Sequence, residues 1–127
     1  MSYTKKNLRE IEDKAPEFGF DSVQEARFAH GALDAENTGI SLIRVKPGCR
    51  QAFAHRHENA EEVYVVISGS GRLKLDDEIV DVKALDAIRI APKVARQAEA
   101  DGEGLELLVV GPRHEGDGEL IMEGIFD

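Results

Sequence analysis

Cysteine is almost missing from this chain. Its single thiol, Cys49, has no partner for an internal disulfide, which suits a reducing compartment and places the protein in the cytoplasm as an expectation. Basic residues are also scarce: 16 Lys and Arg stand against 25 Asp and Glu, for a net charge of −9. Such a balance repels nucleic acid and anionic membrane surfaces, so neither is expected as a partner. No apolar run approaches the roughly 18–20 residues that cross a bilayer. Met1–Glu10 is polar and charged, without the apolar stretch of a signal peptide. The chain also lacks a long amphipathic helix, an alternation of strands with helices, a P-loop, a Gly-rich dinucleotide fingerprint and a Gly-x-Ser-x-Gly elbow. No internal repeat is visible. The 127 residues suit one domain with one core.

What is present reads as β-structure from Gly39 onward. Gly39–Val45 alternates as a strand and Lys46-Pro47-Gly48 closes it. Ala52–His57, Val63–Ile67, Arg72–Leu75, Ile79–Val82 and Asp86–Ile90 follow as short strands, with Gly69 and Gly71 marking a turn or bulge. Ala95–Ala100 and Leu105–Val110 read as a last pair joined by a flexible Asp101-Gly102-Glu103-Gly104 loop, and Gly111-Pro112 ends the sheet. Many short strands at such spacing predict an all-β sandwich or barrel. The expected division is an arm over residues 1–37, a barrel over 38–111 and a tail over 112–127 that packs on it. In the arm, Leu8, Ile11 and Ala15 have loose helical spacing that Pro16 is expected to end. One or two short strands are expected near Arg27–Leu33, and another in the tail within Leu120–Phe126.

One stretch carries chemistry. His55 and His57 lie two apart, so on a strand both side chains project to one face. Glu-Asn-Ala suits a turn, after which an antiparallel strand would return Glu62 to the imidazoles. Two nitrogens and a carboxylate converging on one point suit Fe, Mn, Ni or Zn as a divalent ion. If His55 and His57 face inward, so do Gln51 and Phe53; if Glu62 does, so do Tyr64 and Val66. Leu73, Leu75, Ile88, Ile90, Arg96 and Ala98 continue the same interior. Apolar walls with a few polar groups describe a small-molecule pocket.

With these residues in view, the chain resembles a small single-domain cupin, a jelly-roll barrel or double-stranded β-helix of two antiparallel sheets. The family's first motif, G-x5-H-x-H-x3,4-E-x6-G, is matched by His55, His57, Glu62 and Gly69, with Gly48 one residue farther away than the pattern asks. Glu61 also satisfies the looser gap, but only Glu62 keeps the step to Gly69. The second motif, G-x5-P-x-G-x2-H-x3-N, has lost every named residue: Leu85, Ala91, Lys93, Arg96 and Ala100 stand at its positions. The resemblance implies that His55, His57 and Glu62 are metal ligands and that Arg96 replaces a fourth, histidine ligand. A guanidinium offers no lone pair. Either Arg96 turns aside and leaves a three-ligand site, or metal binding is lost and Arg96 pairs with Glu62 or an anion. Gln97 becomes a ligand only if the strand slips by one residue, which would reverse inside and outside.

Two functions follow from the resemblance. The first is a metal-dependent enzyme on a small, carboxylate-bearing molecule, such as a dioxygenase, isomerase or decarboxylase, with Arg96 orienting the substrate and Tyr64 moving a proton. The second is a metal-free module in which Arg96, His55 and His57 bind a small anion. Small cupins also imply a homodimer formed through the N-terminal arm.

Overall fold

Two long strands, each bent from one sheet into a second, organise the molecule. In the computed structural model, which describes residues 2–127, the strands are β1 (Gln24–Phe28), β2 (Thr38–Val45), β3 (Ala54–His57), β4 (Glu62–Leu75), β5 (Glu78–Lys83), β6 (Ala87–Ile90), β7 (Arg96–Pro112) and β8 (Gly118–Ile121). All pairings are antiparallel. The first half of β4 lies between β6 and the second half of β7, which continues to β2 and β1. The second half of β4 lies between β5 and the first half of β7, which continues to β3 and β8. Two sheets thus face each other across one interior, as in a jelly roll.

The crossing point is built by glycine. Gly69 pairs with Leu105 and Gly71 with Ala100, so residues 101–104 bulge out opposite Ser70. Gly69 has φ +78°, and a Cβ there would stand 2.0 Å from the Gly104 carbonyl oxygen. No side chain fits so close an approach. The expected Ala95–Ala100/Leu105–Val110 hairpin therefore does not form. The two segments are halves of β7, and Asp101–Gly104 is the bulge that carries it between sheets.

Between the sheets, Val45, Val66, Leu73, Ile90, Leu105 and Leu107 are fully buried. Burial of each such side chain contributes about 1.5–3 kcal/mol. The terminal segments join the same framework. In the arm, residues Leu8–Glu10 form a single 3₁₀ turn and α1 (Ala15–Phe18) follows. Pro16 starts this helix instead of ending one, because a first-turn residue needs no N–H acceptor. The arm strand is β1, a few residues before the expected place, and it extends the sheet beyond β2. The tail strand β8 pairs with β3. No helix among the described residues is long and apolar enough to cross a membrane.

Candidate functional site

His55 and His57 project from β3 into the interior, as their spacing requires. Glu62, the first residue of β4, meets them by a different route from the one expected. β3 pairs with β7 and β8, never with β4. The Glu58–Glu61 link crosses from one sheet to the other, so Glu62 approaches across the barrel interior. Asp117, in the turn before β8, holds that crossing: its carboxylate accepts the Asn59 and Ala60 backbone N–H groups, both at 2.9 Å, and the Asn59 side-chain amide at 3.0 Å. On the opposite side, Gly111 lets β7 pass: a Cβ there would come within 2.7 Å of the Glu61 carbonyl oxygen.

Glu62 Oε1 lies 3.4 Å from His55 Nε2 and 3.2 Å from His57 Nε2. One ligand atom from each of the three residues falls within 4.8 Å of the others. Behind His57, Nδ1 faces Asp117 Oδ2 at 3.2 Å. Despite these distances, Glu62 Oε1, both His57 nitrogens and, beside them, Arg96 Nε and Nη1 are buried without a completed hydrogen bond. Buried polar atoms left open in this way call for a further partner. A divalent ion could take Glu62 Oε1 and His57 Nε2 together with His55: the donors are two imidazoles and a carboxylate, with the Asp117 carboxylate behind the His57 ring, the arrangement that orients histidine ligands.

The electrostatics put two of the three, His55 and Glu62, in the form that can ligate. Burial pushes the His55 imidazole below its usual pKa and so leaves it neutral, with a free lone pair. The adjoining Glu62 carboxylate raises that of His57 against the burial effect. Burial would raise the Glu62 carboxyl, but the two imidazoles outweigh it and hold the pKa at about 2, so this carboxylate is ionised.

Arg96 stands directly opposite His55 in the β3–β7 pairing and is completely buried. Nη1 lies 3.8 Å from Glu62 Oε1, and Nη2 donates to the Ala91 carbonyl at 3.1 Å. It is absent from the residues that line the interior cavity. Tyr64 is buried on β4, and burial drives its hydroxyl well above the ordinary tyrosine pKa, so it stays protonated. Gln97 faces the other way, donating to the Gln51 carbonyl and accepting the Ile125 N–H, both at 2.8 Å; β7 has not slipped. Asp117 escaped the sequence reading. It belongs to an acidic, Gly-rich tail and lies 60 residues beyond His57 in a chain with no spacing rule linking them.

The three donors end a cavity of about 500 Å³ between the sheets. Ile43, Phe53, Tyr64 and Val109 form its walls, and Phe18 and Phe20 of the arm reach its mouth. The arm is therefore part of the site's enclosure.

Residues 41–111 match the family model of the cupin domain, and the chain belongs to the cupin family. A cupin protein from Bacteroides fragilis has the same fold over 100% of this chain and 98% of its own, at 23% identity and a TM-score of 0.71. Oxalate decarboxylase from Bacillus subtilis matches at 25% identity and a TM-score of 0.76 over 94% of this chain, which spans 32% of that one. An uncharacterized protein of Methanocaldococcus jannaschii is 34% identical over 58 residues, 46% of either chain. The match thus spans about half the length of that curated relative.

Proposed function

We propose that this cupin is a metal-dependent enzyme acting on a small molecule inside its barrel, with one divalent ion of Fe, Mn, Ni or Zn held by His55, His57 and Glu62. The observation that carries the reading is the convergence of three donor residues whose buried atoms include unpartnered ones at the inner end of an open cavity. When bound, such an ion supplies Lewis acidity or reactivity toward oxygen. Dioxygenase, isomerase and decarboxylase chemistry are the classes in view, and the likeness to an oxalate decarboxylase supports this range. The protein's own residues set the conditions. Asp117 orients His57, and Arg96, 3.8 Å from Glu62 Oε1, holds that carboxylate in place as a positioning residue. Tyr64, protonated and at the cavity wall, is the group that donates to a bound oxygen atom.

Elemental analysis of protein purified without a histidine tag tests the reading. Stoichiometric transition metal in the unaltered protein is expected, with its loss in His55→Ala and Glu62→Ala. Metal appearing only after Arg96→His would overturn it and favour a metal-free anion site built on Arg96, His55 and His57.

A further inference from the structure

The geometry points to a ligand with a flat, apolar body and a single compact polar head, and away from small dianions and phosphate esters. For its head group the inference rests on the metal reading; for its body it stands on the cavity alone. The cavity's imidazole and carboxylate groups, His55, His57 and Glu62, are gathered at one end, and Tyr64 and Ser41 are the hydroxyl-bearing residues of its wall. Among the described residues no lysine or arginine lines it. Two further polar side chains are turned toward backbone: Gln24 Oε1 accepts the Ala52 N–H at 3.0 Å, and Gln51 Oε1 accepts the Ala98 N–H at 2.9 Å. A phosphate or second carboxylate is gripped by guanidinium or ammonium groups, and beyond the polar end it would meet mostly hydrocarbon instead. Arg56 and Lys93, in a small polar pocket on the far side of His57, are already paired with Glu119 and Glu58.

Away from the polar end the lining is aromatic. The Phe20 and Phe53 rings lie 5.1 Å apart at 55°, and Phe18 adds a third ring 6.5 Å from Phe20. Tilted rings at such distances offer faces and edges to another ring between or beside them. Phe18, Phe28, Leu120 and Met122 line the same cavity toward its mouth and remain exposed, so apolar surface continues to the entrance. A volume near 500 Å³ holds a ring-bearing molecule and would be left mostly empty by a dianion as small as oxalate. The class is thus an aromatic or alicyclic compound bearing a hydroxyl, a carbonyl or one carboxylate as its head.

Calorimetry with two bidentate probes that share a head tests this on the metal-loaded protein. Benzohydroxamate should bind about 10- to 100-fold more tightly than acetohydroxamate, the ratio expected for burying a phenyl-sized group. Phe53→Ala and the gentler Phe18→Ala should narrow the ratio without altering metal content. Equal affinities, or a ratio unchanged in both variants, would overturn the inference. If the protein takes up no metal, the metal reading fails and the metal-free protein decides the rest. Bound 1-anilinonaphthalene-8-sulfonate should then be displaced by naphthalene-2-carboxylate and not by oxalate. Displacement by neither, or by both equally, would refute the apolar body.

Discussion

At the scale of single residues, two positions bear directly on backbone strain and on the donor cluster. Leu85 occupies a place where the family pattern has glycine, and it keeps the backbone that glycine favours: φ is +75° and the side chain is 83% exposed. An L-residue pays about 1–2 kcal/mol in that conformation, against a smaller entropic cost for glycine. Leu85→Gly should therefore raise stability by about 0.5–1 kcal/mol in a urea melt; a loss would show that Leu85 makes a contact worth more than its strain. Asp117 is the second position. Asp117→Asn removes the charge behind His57 and one acceptor of the Asn59–Ala60 crossing. Metal affinity, measured by competition with a chromophoric chelator, should fall about 10- to 100-fold. An unchanged affinity would mean that His57 needs no orienting partner.

Among the elements, the β4–β7 crossing is the least tolerant. In Gly69→Ala the added methyl would meet backbone on β7 that cannot move without breaking both ladders. A loss of about 3 kcal/mol or more is expected by denaturant unfolding. The arm is held more loosely. Arg9 reaches back to Glu106 on β7 with two hydrogen bonds of 2.7 Å. Those bonds hold the Glu106 pKa below the usual 4.5, with burial opposing them. A carboxyl depressed in the folded state adds stability above its unfolded pKa, and that stability is lost as pH falls through the folded value. The melting-temperature gap between the wild type and Arg9→Ala should accordingly be largest near neutral pH and close as the pH falls below 4.5 through the lowered Glu106 value. Because Arg9 is largely exposed, added salt should narrow the gap as well. A gap that widens in acid would contradict this pairing.

For the whole molecule, the pairings that define the barrel join distant segments: Val45 with Leu105, Leu75 with Arg96, His55 with Leu120. Loop closure must precede these contacts, so stopped-flow refolding is expected in the millisecond-to-second range typical of all-β domains. A microsecond phase carrying the full amplitude would show that local structure dominates instead. The same long-range pairing explains why the arm and tail, which look like appendages in the chain, complete the sheets and the cavity mouth.

Much of the fold and half of the site are legible in the chain. Period-two alternation and turn residues place most strands, and the one-face rule for i and i+2 puts His55 and His57 together whatever lies around them. Local chain geometry suffices for such features. The partner across the interior is not local. Whether Glu62 returns beside β3 or crosses to the facing sheet depends on which distant strand claims each edge, and β7 and β8 claim both edges of β3. Asp117, the cavity mouth and the burial of Arg96 outside the cavity are settled in the same way, by contacts between segments far apart in the chain. The sequence by itself determined that His55 and His57 share one face of one strand. The tertiary structure decided what faces them, because antiparallel pairing over long separations leaves no spacing rule in the chain.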